Sequence, residues 1–156
     1  MVARRRRAPG AARAARRIIR TTIHEHPAND KTTVQLNRDT SAANLIRAYE
    51  PGRIRVADRW LAGHVIVAPD RLIEDWRVET PAGLALEHLE PALALQPQIV
   101  LLGTGAALEW PDADLMALCA ARAVGLEIMT TAAACRTFNV LVHEQRHVVA
   151  ALFNAA

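Results

Sequence analysis

At 156 residues, 51% hydrophobic and 22% charged, the chain has the length and composition of one folded domain, which excludes a chain disordered throughout. No apolar run approaches the roughly 18 to 20 residues that span a bilayer, so an integral helical membrane protein is excluded too. The net charge of +3 comes from the N-terminal segment: residues 1–31 hold nine of the 19 basic side chains against only Glu25 and Asp30, while the rest carries ten basic and 14 acidic groups, a net of −4. An acidic domain argues against DNA as a partner.

Residues 1–31 read as a disordered arginine-rich leader, and residues 32–156 as a single α/β domain. Arg13, Arg16, Arg17 and Arg20 share helical spacing. Three readings of the leader stand side by side: a mitochondrial targeting helix, a tail that contacts RNA or anionic lipid, or a solvated extension. The leader lacks serine enrichment and a secretory apolar core, which favours the solvated extension. His24-Glu25-His26 fits the same reading better than a metal site.

Beyond the leader, Leu45–Tyr49 and Arg53–Val56 are expected as two antiparallel strands joined by Pro51-Gly52. His64–Val67 is a short apolar strand, and Asp70 is placed to cap a helical turn through Trp76. Leu84–Leu95 carries helical leucine spacing, with a kink or an end expected at Pro91. Gln98–Leu102 is the best buried strand, bounded by Pro97 and Gly103. A helix over Asp112–Ala123, stopped by Gly125, leads to a strand at Leu126–Met129. Thr131 then caps a helix to about Glu144, and Val148–Phe153 closes the chain as a strand. This alternation predicts a three-layer α/β domain with a mixed central sheet, parallel in its C-terminal half through right-handed crossovers.

Two features could carry binding. Gly103-Thr104-Gly105 follows the central strand, and its glycines allow a tight turn whose N–H groups suit an anion. A dinucleotide fingerprint fails, because Ala106, Ala107 and Leu108 stand where a third glycine is wanted. The helix start at Thr131 falls at the same edge of a parallel sheet, with Arg136 and Asn139 on the helix behind it. The alternative for each is structural: a sharp turn, or an arginine paired with Glu127 or Glu144. The candidate ligand- or partner-binding set is therefore Gly103, Thr104, Gly105, Thr131, Arg136 and Asn139.

Other features argue for little chemistry. His143-Glu144-Gln145-Arg146-His147 matches the spacing of zinc proteases, but that chemistry needs one continuous helix, and the helix should already be ending there. Cys119 and Cys135 lie in predicted helices without metal-ligand spacing, as buried free thiols of a reducing compartment do. Trp60, Trp76 and Trp110 are too scattered for a base-stacking platform. No nucleophile has an evident base and orienting partner, so the residues favour a noncatalytic protein over an enzyme. No motif asks for a cofactor or metal.

Gly103-Thr104-Gly105, the segment Gly125–Leu152 (GLEIMTTAAACRTFNVLVHEQRHVVAAL), LIRAYEPGRIRV and HVIVAPD together resemble the small-domain family of mitochondrial complex I assembly factor 3 and its uncharacterised bacterial and archaeal relatives. The likeness runs from about Leu36 to Phe153 and leaves the leader out. Thr130 and Gln145 stand where that family often has aspartate and glycine. The resemblance implies a three-layer α/β fold and a role in assembling NADH:ubiquinone oxidoreductase, with respiratory-complex subunits as protein partners. The alternative is a small enzyme or carrier that takes an anionic metabolite at the Gly-Thr-Gly edge. The bacterial cytoplasm is the expected location, with the mitochondrial matrix second, and the oligomeric state is left open.

Overall fold

The computed structural model describes residues 44–154; the arginine-rich leader and its His24-Glu25-His26 lie outside them. Eight strands and three helices follow in order among the described residues: β1 (Ile46–Glu50), β2 (Arg53–Val56), β3 (Arg59–Ala62), β4 (Val65–Ala68), β5 (Arg71–Ile73), α1 (Leu86–Leu93), β6 (Ile99–Gly103), α2 (Ala113–Ala121), β7 (Gly125–Met129), α3 (Thr131–His143) and β8 (Val148–Leu152). The first three strands form a small antiparallel sheet, β1-β2-β3, and the others a five-stranded sheet in the order β5-β4-β8-β6-β7. In the larger sheet β6 pairs parallel with both β7 and β8, and β4 pairs antiparallel with β8. The expected mixed sheet, antiparallel first and parallel later, is what the chain builds.

Alternation along the central strands sorts the core into two layers. On β8, Val148, Ala150 and Leu152 join a cluster with Phe138 of α3 and Ile54 of the small sheet. Val149 and Ala151, with Phe153 beyond them, join another with Leu89 of α1 and Leu115 of α2. The central sheet thus lies between a layer made by α1 and α2 and a layer made by α3 with β1–β3. Because β4 and β8 are covered on both faces, they read as unbroken apolar runs, VIVA and VVAAL.

Local chemistry departs from the sequence expectation in four places. Residues 71–73 form β5 rather than a helical turn capped by Asp70: Ile66 pairs with Ile73 and Val67 with Leu72 across the Pro69-Asp70 turn. The open edge of β4 supplies ladder hydrogen bonds that a single capped turn cannot match. Strand β3 was not anticipated; it folds back on β2 through Ala57, which adopts a left-handed φ of 49°. Helix α2 is closed by Ala123, at φ 58°, while Gly125 opens β7. Helix α3 is capped by Thr130, whose hydroxyl accepts the Ala133 N–H at 3.4 Å; Thr131 is its first helical residue. Pro91 lies inside α1, which ends at Leu93.

The chain beyond β8 is held by a histidine. His64 Nδ1 accepts the Asn154 N–H at 2.9 Å, and its ring lies 5.0 Å from that of Phe153. Burial lowers the His64 pKa from its ordinary value of 6.5, since a charged ring would lose water. The unfolded chain therefore binds a proton that the folded chain refuses. Stability from this group is complete above pH 6.5 and is lost as the pH falls through the lowered folded pKa. Urea unfolding at pH 7.5 and 5.0 should show a loss on acidification, at most about 1.4 kcal/mol per pH unit from one group, and His64→Gln should flatten that slope. Equal slopes in both proteins would refute the assignment.

Candidate functional site

The six residues singled out in the sequence separate into two groups. Gly103, Thr104, Gly105 and Thr131 meet at the C-terminal ends of β6, β7 and β8. There the Thr131 hydroxyl accepts the Gly105 N–H at 2.8 Å and donates to the Phe153 carbonyl at 2.6 Å. The Thr131 N–H returns to the Gly105 carbonyl at 2.9 Å, and the Thr104 N–H goes to the Met129 carbonyl at 2.9 Å. Thr104 is also buried, its hydroxyl 2.8 Å from the Ala107 carbonyl and accepting the Glu109 N–H at 3.1 Å. The turn amides of Thr104 and Gly105 are thus spent on the fold itself. A Cβ on Gly103 would stand 2.9 Å from the Thr131 Cα and from Leu152 Cδ2, so glycine here serves close approach.

Arg136 and Asn139 lie further along α3, against β1. Asn139 is a clamp: its Oδ1 accepts the Ile46 N–H at 2.9 Å and its Nδ2 donates to the Ile46 carbonyl at 2.7 Å. Beside it, a shallow cavity of about 210 Å³ is lined by Arg47, Tyr49, Ala132, Cys135 and Arg136 among others. Cys135 is buried, and desolvation pushes its thiol up to about 12 against the opposing pull of Arg136. It is a neutral S–H at physiological pH and no nucleophile.

A larger cleft, about 740 Å³, lies elsewhere, between the β3–β4 turn and the segment leading into α1. His64, Trp76, Arg77, Glu79, Thr80 and His88 line it. Nothing in the sequence pointed to it, because its histidines are 24 positions apart and share no motif. Both spend Nδ1 as acceptors of backbone N–H groups, from Asn154 and from Ala85, each at 2.9 Å. Their neutral forms therefore carry the proton on Nε2 and offer a donor rather than a metal-binding lone pair. The protease-like spacing at His143–His147 is broken, since α3 ends at His143 and Gln145 turns left-handed at φ 58°.

Comparison with known proteins follows the fold. Residues 46–153 match the family described as protein of unknown function (DUF498/DUF598). The chain is 32% identical over 125 residues to the zebrafish (Danio rerio) NADH dehydrogenase [ubiquinone] 1 alpha subcomplex assembly factor 3, covering 78% of this chain and 71% of that one. A solved structure from Xanthomonas campestris shares 40% identity with a TM-score of 0.65, covering 70% of this chain and 83% of its own. One from Bordetella parapertussis shares 34% with a TM-score of 0.68, covering 72% and 97%.

Thr131→Val keeps the side chain's shape but strands two buried groups, the Gly105 N–H and the Phe153 carbonyl. The expected cost is about 1–3 kcal/mol for each, read as a lower urea midpoint. Thr131→Ser keeps the hydroxyl and should lose only about 1 kcal/mol with its methyl. Similar losses in the two variants would show that the hydroxyl does not carry the junction.

Proposed function

This chain belongs to the family described as protein of unknown function (DUF498/DUF598), and we propose that within it this member is a noncatalytic binding module that assists assembly of a respiratory, complex I-like membrane complex. The observation that carries the reading is the 32% identity to an assembly factor across 78% of the chain. Among the described residues no helix is long and apolar enough to cross a membrane, which fits a protein that docks on subunits rather than inserting beside them. The bacterial cytoplasm is the proposed location, with the mitochondrial matrix as the alternative.

The docking face is the solvent side of α3. Ala132, Arg136 and Val140 recur at four-residue spacing and share one stripe. Arg136 is exposed, and Val140 is 55% exposed, an unusual position for a valine in the middle of a helix whose other face is core. A guanidinium beside apolar surface suits the centre of a protein interface. Of the six residues first singled out, Arg136 contacts the partner and Asn139 fixes the helix on which it stands; Gly103, Thr104, Gly105 and Thr131 set where that helix begins.

Affinity copurification from native membranes tests this. Wild-type chain should recover subunits of NADH:ubiquinone oxidoreductase, and Arg136→Glu, confirmed to be folded, should lose most of them. Failure of the wild-type chain to bring down any such subunit would overturn the assembly role. Equal recovery by the two would keep the role and remove α3 as its surface.

A further inference from the structure

The cavity between β1 and α3 differs in charge from the cavities lined by Arg77, by Arg71 and Arg146, and by Arg122, each of which includes a carboxylate. Arg47 and Arg136 both line it, and no carboxylate does. Five arginines of the domain (Arg53, Arg55, Arg59, Arg77 and Arg122) pair with acids, but among the described residues Arg47 and Arg136 have no such partner. Arg71 and Arg146 are also unpaired there, yet the cavity they share includes Asp70. The β1–α3 cavity thus concentrates two positive charges with no carboxylate among its described lining residues.

A second observation is independent of charge. Tyr49 lines this cavity, and its hydroxyl is buried with no hydrogen-bond partner. An unsatisfied buried hydroxyl is costly, so native structures rarely leave one unless a partner arrives. Burial, and then the nearby Cys135 sulfur, raise the phenol's pKa above its ordinary 10.0, which keeps it a neutral O–H donor. The walls are also fixed in place. Asn139 ties β1 to α3 through both of its amide atoms, so the two arginines are carried on elements held at a set spacing.

We propose that this cavity is a binding site for a phosphate-class oxyanion, held by the Arg47 and Arg136 guanidinium groups and by the Tyr49 hydroxyl. Two planar forks and a phenol offer more donors than the two oxygens of a carboxylate can use, and they match the three terminal oxygens of a phosphate. Two positive charges balance its dianion. The first turn of α3, with Ala132 in the lining, adds a favourable dipole end. A cavity of about 210 Å³ holds the phosphoryl group alone and leaves whatever it is attached to outside. This site does not depend on the assembly role, and its test uses the purified chain alone.

Tyr49 is the only tyrosine in the sequence, so chain labelled with ¹³C at the tyrosine Cζ gives a single reporter signal. Titration with inorganic phosphate at pH 7.5, against sodium chloride at matched ionic strength, should move that signal saturably, and sodium acetate should bind at least tenfold more weakly. Arg47→Gln and Arg136→Gln, both at exposed positions and checked by circular dichroism, should each weaken phosphate at least tenfold. Tyr49→Phe, followed by calorimetry, should weaken it about tenfold or more, the worth of one hydrogen bond to a charged acceptor. A shift that never saturates, arginine variants that bind as the wild type does, or acetate binding as well as phosphate would each overturn the site. Unchanged affinity in Tyr49→Phe would overturn the phenol's part in it.

Discussion

One hydroxyl decides what the sheet's C-terminal end can be used for. The chain passes from β6 through α2 to β7 on one side, then returns through α3 to β8 on the other side of β6. Two crossovers of the same hand that run in opposite directions must place their helices on opposite faces, and the core bears this out, with Leu115 of α2 in one cluster and Phe138 of α3 in the other. Such a reversal opens a crevice at the strand ends, the usual place for a ligand in an open α/β sheet. Here Thr131 fills it from within, bonded to Gly105 on one side and to Phe153 on the other. The room for a ligand on this side of the sheet has moved outward, to where α3 meets β1.

Much of this was legible in the sequence where one signal dominated. The runs at 98–102 and 148–153 are apolar because both faces of the strand are covered, and periodicity read them correctly to within a residue. The hairpin at Pro51-Gly52 was legible because only a few residue types make that turn, and Gly52 takes φ 87°. The β2–β3 turn was invisible because its left-handed position falls on Ala57, a residue with no preference for it, which tertiary pairing holds there. At β5 a good capping residue misled, because local propensity is a weaker force than an open strand edge.

The candidate site was legible by half. Motif and position drew attention to Arg136 and Asn139, both at the α3–β1 contact. Arg47 and Tyr49 went unnoticed because nothing local marks them; they matter only through pairing with a helix some 90 positions away, as the Ile46–Asn139 bonds show. Burial treats this region consistently. It raises the Cys135 thiol to about 12 and the Tyr49 phenol above its ordinary value. The ionisable groups beneath the surface therefore stay neutral, and the charge in the cavity's lining belongs to arginine.

Asn139 also bears on how this molecule avoids sticking to itself. β1 borders the small sheet, and a border strand presents backbone groups that a passing chain can pair with. At Ile46 both groups that point away from β2 are taken by the Asn139 amide, which imitates one residue of a neighbouring strand. A side chain from α3, the helix in its own layer, thus ends the ladder there. Strand-by-strand accretion at that end is blocked by one residue, at no cost in exposed charge or proline.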